Sequence, residues 1–356
     1  MLFKWQRTGS RALPLSGADR VNHQILLVGF IVAVALGFDF TNGMHDSANS
    51  VATIVATRIL TPIQAVIWAA FWNVAAFLLF GTEVAKTIGS GMINIHAVTP
   101  FVVLAALLGA IAWNIFTLVL GIPTSSSHAI IGAYAGEAIA RAGFGVLLPG
   151  GWTKTLLFIV LAPLIGFLLG GLLLVIVSWI IELANPSPSR VSPWLRRSQL
   201  ISAAAYSLGH GGNDSQKTMG IIAGLLFSAK LIPTFHIPLW VVLSAYASMG
   251  LGTLFGGWKI MKTMGQGIAK IRSLEGVCAE LASAVSIYLS TMLGIPVSTT
   301  HVITGAISGT RAVSRVSAVR WNTAFSIAWA WLFTIPGAAL LAWSIYRLAA
   351  LTGFHS

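Results

Sequence analysis

Two kinds of short polar string interrupt an otherwise apolar chain, and each kind occurs twice. The first kind reads Asn42-Gly43-Met44-His45-Asp46-Ser47-Ala48-Asn49, with a partner His210-Gly211-Gly212-Asn213-Asp214-Ser215-Gln216-Lys217. Each centres on one carboxylate, a group that can hold a proton or a metal cation. The second kind reads Gly121-Ile122-Pro123-Thr124-Ser125-Ser126-Ser127-His128, echoed by Gly294-Ile295-Pro296-Val297-Ser298-Thr299-Thr300-His301. Each supplies three adjacent hydroxyls, which can donate to an oxyanion from several directions. Asp46 and Asp214 lie 168 positions apart, and His128 and His301 lie 173 apart. The chain therefore reads as a duplicated unit whose copies carry the same two interruptions. Duplicated membrane proteins with interrupted helices at corresponding positions are usually secondary transporters.

Asp46 follows the apolar run 25–38, and a second helix-compatible run starts at Ala48. Between them, Phe40-Thr41-Asn42-Gly43 is a poor helix interior. The expectation is a helix that breaks, with a polar turn opening into a shorter helix whose first turn holds Asp46 and Ser47. Asp214 and Ser215 follow Gly211-Gly212 in the same way. A carboxylate at membrane depth costs at least ~2.5 kcal/mol on the insertion scale. One acidic residue at a helix start is usually an N-cap. Two at matched positions with apolar flanks point to function, and Asp46 and Asp214 are the expected coupling-cation residues. His45 is either a proton acceptor or a polar neighbour of Asp46, since the matching Asn213 cannot titrate. Lys217 stands where Asn49 does in the first copy. It pairs with Asp214, meets an anion or snorkels to an interface.

In the hydroxyl strings, Gly-Ile-Pro stops a helix, because proline removes a donor and disfavours helix at the residue before it. The hydroxyls then cap the next helix. Its unpartnered N–H groups and dipole form an anion site that needs no lysine. The plainer account is capping alone, or Ser/Thr bonding between helices. The duplication favours the oxyanion. Its expected ligands are Ser125, Ser126, Ser127, Ser298, Thr299 and Thr300, together with Asn42, Ser47, Asn49, Asn213 and Ser215 from the first kind of string. His128 and His301 order the hydroxyls or carry protons. Asn114, polar inside an apolar span, is either an ion ligand or an interhelical hydrogen bond. Glu137 and Arg141, four apart, are expected to pair on a helix surface. Glu182 falls near a span end. Glu275 and Glu280 begin a helix, where acids suit the dipole, with Glu280 the deeper accessory candidate.

Such groups need elements that hold them inside lipid. Hydrophobic residues make up 56% of the 356 and charged residues only 8%, against about 25% charged in soluble proteins. Apolar stretches at 25–38, 65–80, 101–120, 156–181, 239–255 and 323–342 approach the ~20 residues of a span. Spans must satisfy their own backbone, and barrel-like alternation is missing, so the expected fold is all-α and polytopic, with about ten to twelve helical segments. A basic tail (1–24) without an evident signal-peptide cleavage site precedes a first repeat (25–184). A linker (185–198) follows, whose prolines and serines at 185–193 argue against helix. The second repeat is 199–350. The net charge of +12 sits mostly in loops, where it meets anionic headgroups rather than nucleic acid. Both tail and linker are basic, so sidedness stays open. Cys278 is the single cysteine and reads as a core residue. Thirteen tryptophans suit membrane interfaces.

These motifs resemble the inorganic phosphate transporter family. It carries duplicated signatures like Gly43-Met44-His45-Asp46-Ser47-Ala48-Asn49 and Gly211-Gly212-Asn213-Asp214-Ser215, with elements like Pro123–His128 and Pro296–His301. The resemblance covers nearly the whole chain after residue 24. It implies two inverted-topology repeats, hairpins of half-helices, a central phosphate site, a homodimer and no cofactor. His45 in place of asparagine, and the Asn-Asp-x-Gln-Lys variant, are similar to the bacterial low-affinity, proton-coupled branch. That implies protons rather than sodium as the coupling ion, cargo that can be a divalent metal–phosphate complex, and the plasma membrane of a prokaryote. Two other functions compete: a sulfate permease and, in a different class, a membrane-embedded lipid-phosphate phosphatase. The latter would want arginines beside its nucleophile, whereas Arg58, Arg141 and Arg311 lie away from the strings.

Overall fold

At membrane depth a helix satisfies its own backbone groups, and helices carry nearly the whole chain. The computed structural model describes residues 17–351, and no strand is present among them. The first half comprises α1 (Gly17–Ala56), α2 (Pro62–Ala75), α3 (Glu83–Lys86), α4 (Pro100–Leu120), α5 (Ser126–Ala142) and α6 (Pro149–Ala184). The second repeats that order as α7 (Pro188–Ser228), α8 (Leu239–Phe255), α9 (Trp258–Lys262), α10 (Ser273–Met292), α11 (Thr299–Ser314) and α12 (Trp321–Leu351). Four helices are long and apolar enough to cross a membrane, or six spans if two bent pairs count. The bends fall at matched places: Pro62–Leu78 turns into Glu83–Gly91 by 79°, and Leu239–Phe255 into Trp258–Gly265 by 67°. Exposed Leu164, Leu168, Leu172, Ile176 and Ile180 form a stripe along α6, a lipid-facing surface.

The two halves pack in corresponding ways. Helix α1 lies on α8 as α7 lies on α2, and α5 lies on α12 as α11 lies on α6. The last two contacts use paired G-x-x-x-G segments. Gly132 and Gly136 abut the α12 backbone at Ile335 and Ala339, and Gly305 and Gly309 abut α6 at Pro163 and Phe167. Added Cβ atoms would collide with backbone at all four, so small residues set the helix separation. Each half thus holds the short helix of the other in place.

Three expectations change. The carboxylate strings do not break their helices, since α1 and α7 run through them unbroken. Their glycines instead permit close approach: Gly43 faces the Met249 carbonyl, Gly211 the Asn73 backbone and Gly212 the Phe80 ring. A helical glycine costs about 1 kcal/mol against alanine, and close packing offsets it here. The breaks lie in the bent pairs above. Second, the segment 185–198 is helical from Pro188 onward. Proline suits the first helical position, whose N–H has no partner anyway. Pro193 frees the Ser189 carbonyl, but Ser189, Ser192 and Pro193 are exposed, so water can take that bond. Third, α1 starts at Gly17, inside the basic tail; Lys4, Arg7 and Arg11 lie outside the described residues.

Candidate functional site

The two Gly-Ile-Pro strings end α4 and α10 as read. Gly121 and Gly294 take positive φ (72° and 67°), where a side chain is disfavoured. The chain then reverses into α5 and α11. Ser125 and Ser298 are their N-caps, accepting from the backbone N–H of His128 (3.1 Å) and His301 (3.3 Å). The two reversals touch: Ser127 donates to the Val297 carbonyl (3.3 Å), and Thr300 donates to the Thr124 carbonyl (3.1 Å). The N-termini of α5 and α11 therefore meet, and two positive helix ends converge.

Both carboxylates sit at this junction. Asp46 accepts from Ser126, the first residue of α5, at 2.5 Å. Asp214 accepts from Thr299, the first residue of α11, at 3.3 Å. Ser126 also lies 2.5 Å from the Asn42 oxygen. The residues three after each acid cross to the opposite half. Asn49 donates to Thr300 (2.8 Å), and Lys217 donates to Ser127 (2.5 Å), the hydroxyls standing at matching places in the two strings. Lys217 is also paired with Asp214 and donates to the Val297 carbonyl at 3.0 Å. The His45 ring lies 2.7 Å from Asp46 through Nδ1 and 3.1 Å from Thr117 through Nε2. His210 lies 3.4 Å from Asp214. Donor atoms of Asp46, His210 and Asp214 all lie within 4.8 Å of one another, so one cation could be reached by all three. None of the expected ligands is more than 3% exposed, so this arrangement is closed to solvent.

Other candidates are placed elsewhere or used differently. The Ser47 hydroxyl donates to the Met44 carbonyl and accepts from Gly257 N–H (2.7 Å) at the bend between α8 and α9. Ser215 points at the Met249 sulfur. Asn213 holds the second reversal through Thr291, Ile295 and Val297. The His128 and His301 rings meet edge-on at 4.5 Å, and His301 stacks on Trp331 at 3.7 Å. Asn114 is buried, with no hydrogen-bond partner for its amide among the described residues. Glu280 is held apart from the acids by Thr53, Ser202 (2.5 Å) and Gln199 (3.3 Å). Glu275 pairs with Arg311 at 2.5 Å. Glu137 does not pair with Arg141: its carboxylate is buried without a partner among the described residues, while Arg141 reaches the Ala97 carbonyl.

Several participants escape the motif reading. His210 lies inside its string, four residues from Asp214, and that spacing was the available signal. Gln216 caps the other bent pair by accepting from Val84 and Ala85 N–H. Asn73, which lies 3.2 Å from His210, and Trp331 carry no local sequence signal.

Opposed half-helix starts, paired buried acids and several spanning helices define a polytopic membrane protein built like a carrier. A profile described as "phosphate transporter family" matches residues 42–342, and the chain belongs to that family. It is 54% identical over 327 residues to a "probable low-affinity inorganic phosphate transporter" of Rhizobium meliloti, covering 92% of this chain and 97% of that one. A protein of Bacillus subtilis with the same description is 46% identical over 320 residues, covering 89% and 95%. Among solved structures, "the sodium-dependent phosphate transporter" superposes with a TM-score of 0.83 at 22% identity, covering 92% of this chain and 99% of that one. That likeness concerns the fold.

Proposed function

We propose that this chain is a symporter that moves inorganic phosphate across the plasma membrane of a prokaryote and is driven by protons. Family membership supports the phosphate. The observation carrying the choice of ion is Lys217. Its ammonium meets a carboxylate, a hydroxyl and a main-chain carbonyl, the oxygen surroundings that a monovalent metal ion takes. A tethered cation makes a free one unnecessary at Asp214. The matching place in the first half holds neutral Asn49, and Asp46 is faced instead by His45. An imidazole ring can take up a proton, which supports reading the free positive charge that enters the first half as a proton.

The opposed helix starts, the hydroxyls and Lys217 attract a phosphate, and the two aspartates repel it. Two like charges 4 Å apart repel by roughly 4 kcal/mol at an effective dielectric near 20. A positive charge on each acid removes that repulsion, so phosphate binding and proton binding become mutually dependent. Symport follows if only the empty and fully loaded sites change sides. The matched packing of the halves supports repeats of opposite orientation in the membrane, and a homodimer belongs to the same proposal by resemblance. The Asp46–His210–Asp214 grouping favours a second reading, in which a divalent metal enters with the phosphate; magnesium dependence of uptake checks it.

Phosphate uptake into liposomes tests the proposal, with a pH gradient or a sodium gradient imposed separately. Uptake is expected to follow the pH gradient and to vanish in Asp46→Asn and Asp214→Asn. Unchanged transport in the double variant refutes the coupling scheme. Strong competition by sulfate counts against a phosphate-specific carrier, and phosphate release from a lipid substrate would revive the phosphatase.

A further inference from the structure

One fully buried carboxylate has no part in the scheme above. Asp39 is 0% exposed, and neither of its oxygens has a well-formed hydrogen bond among the described residues. It precedes Asp46 by seven residues on α1, about 10 Å along the axis and on the same face. Asn42 and Thr218 lie beside it, and Tyr246 of α8 is near enough to feel its charge. The Thr218 and Tyr246 hydroxyls are themselves buried and without a hydrogen-bond partner among the described residues. Two under-satisfied side chains, Asp39 and Thr218, thus share one place in a core that also contains Phe38 and Met219.

An ionised carboxylate at this depth, with only Asn42 and Thr218 beside it, costs several kcal/mol. A metal ion would need about six oxygens, and helical carbonyls here are bonded within their own helices, which leaves the Thr218 hydroxyl and the Asn42 oxygen, already held by Ser126. A neutral carboxylic acid fits: it brings its own O–H, which the Thr218 hydroxyl can accept, and its carbonyl oxygen can accept from the Asn42 amide. The charged groups that face it are Asp214 and Lys217 of α7. Helices α2 and α4 carry no ionisable side chain. Lys259 and Lys262 of α9 are exposed, and Glu280 of α10 is engaged at Thr53, farther along α1. On α1 itself, the nearest titratable groups are His45 and Asp46.

We propose that Asp39 is a second proton-binding group of the carrier, protonated in the closed arrangement and ionised when α1 parts from α7 and α8. The O–H bond of the acid breaks, the proton passes to water admitted between the helices, and the carboxylate keeps the electron pair. Asn42 ties this event to the site, because it lies beside Asp39 and receives the Ser126 hydroxyl that also holds Asp46. The assignment rests on the proton-driven reading.

The test compares wild type with Asp39→Asn, an isostere of the neutral acid. In liposomes the variant is expected to retain phosphate counterflow at equal pH within about twofold, and to lose accumulation driven by a pH gradient by tenfold or more. Infrared spectra of the purified protein across a pH titration supply an arm independent of transport. Wild type is expected to show a protonated-carboxyl stretch that Asp39→Asn lacks. Wild-type accumulation by a variant in a proton-driven carrier overturns the assignment, and so does absence of the Asp39 band. Wild-type uptake that follows sodium instead overturns the choice of ion, and the infrared arm still decides Asp39. A variant without counterflow is judged by that same arm and by Asp39→Glu, which should restore pH-driven accumulation.

Discussion

Replacing Lys217 by asparagine would give the second half of the site the side chain that Asn49 gives the first. The ammonium and the Asp214 carboxylate are both essentially inaccessible to solvent. At about 3 Å and an effective dielectric near 20, their attraction is roughly 5 kcal/mol. Removing one partner of a buried pair typically costs about 3–5 kcal/mol, because the other charge is left uncompensated. Lys217→Asn must therefore recruit a cation or a proton to Asp214 before phosphate can bind. At ~1.4 kcal/mol per decade, the deficit corresponds to about 100-fold to several thousand-fold in phosphate affinity. The carboxylate, Ser127 and the Val297 carbonyl remain to coordinate an added ion. Liposomes loaded at fixed pH, with sodium or with a bulky organic cation outside, provide the assay. Wild type should be indifferent to sodium, whereas Lys217→Asn should lose uptake by at least 100-fold without sodium and regain much of it with sodium. A variant that transports at the wild-type rate in sodium-free medium, with wild-type pH dependence, would refute the tethered-cation account.

Other substitutions probe separate parts of the molecule. Ser126→Ala removes the hydroxyl shared by Asp46 and Asn42; losing about 1–1.5 kcal/mol should raise the KM for phosphate roughly tenfold with less change in maximal rate. Gly305→Leu would drive a side chain into the α6 backbone at Pro163 and should destabilise the protein by about 1–3 kcal/mol or more, read as a lower Tm in detergent. Glu280→Leu strands the donors of Thr53, Ser202 and Gln199, so a loss of about 1–3 kcal/mol is expected in denaturant titrations. Pro193→Ala restores a helical N–H at an exposed turn of α7 and should leave uptake unchanged while holding or raising Tm.

The duplicated strings made much of the site legible. Hydroxyls after Gly-Ile-Pro can hardly do other than cap the next helix, because the local backbone leaves those N–H groups free. The closeness of Asp46 to Ser126 and of Asp214 to Thr299 is tertiary, yet repetition of both strings pointed to it. Glycine was the main source of error. In Asn42-Gly43 and Gly211-Gly212 it reads locally as a breaker, but in lipid a glycine on a helix face also lets another helix approach. Only the position of α8 or α2 distinguishes the two cases.

Sequence alone determined that this chain lives in lipid, is helical and doubled, and carries two acids and two hydroxyl-capped helix starts. Those properties depend on composition and on neighbours within a few positions. Tertiary structure decided that Lys217 pairs with Asp214, that Asn49 crosses to Thr300 in the other half, and that Asp39 lacks a well-formed hydrogen bond among the described residues while Glu280 has three. Each depends on which side chain arrives from a helix dozens to hundreds of residues away, and the packing of one half against the other sets that arrival.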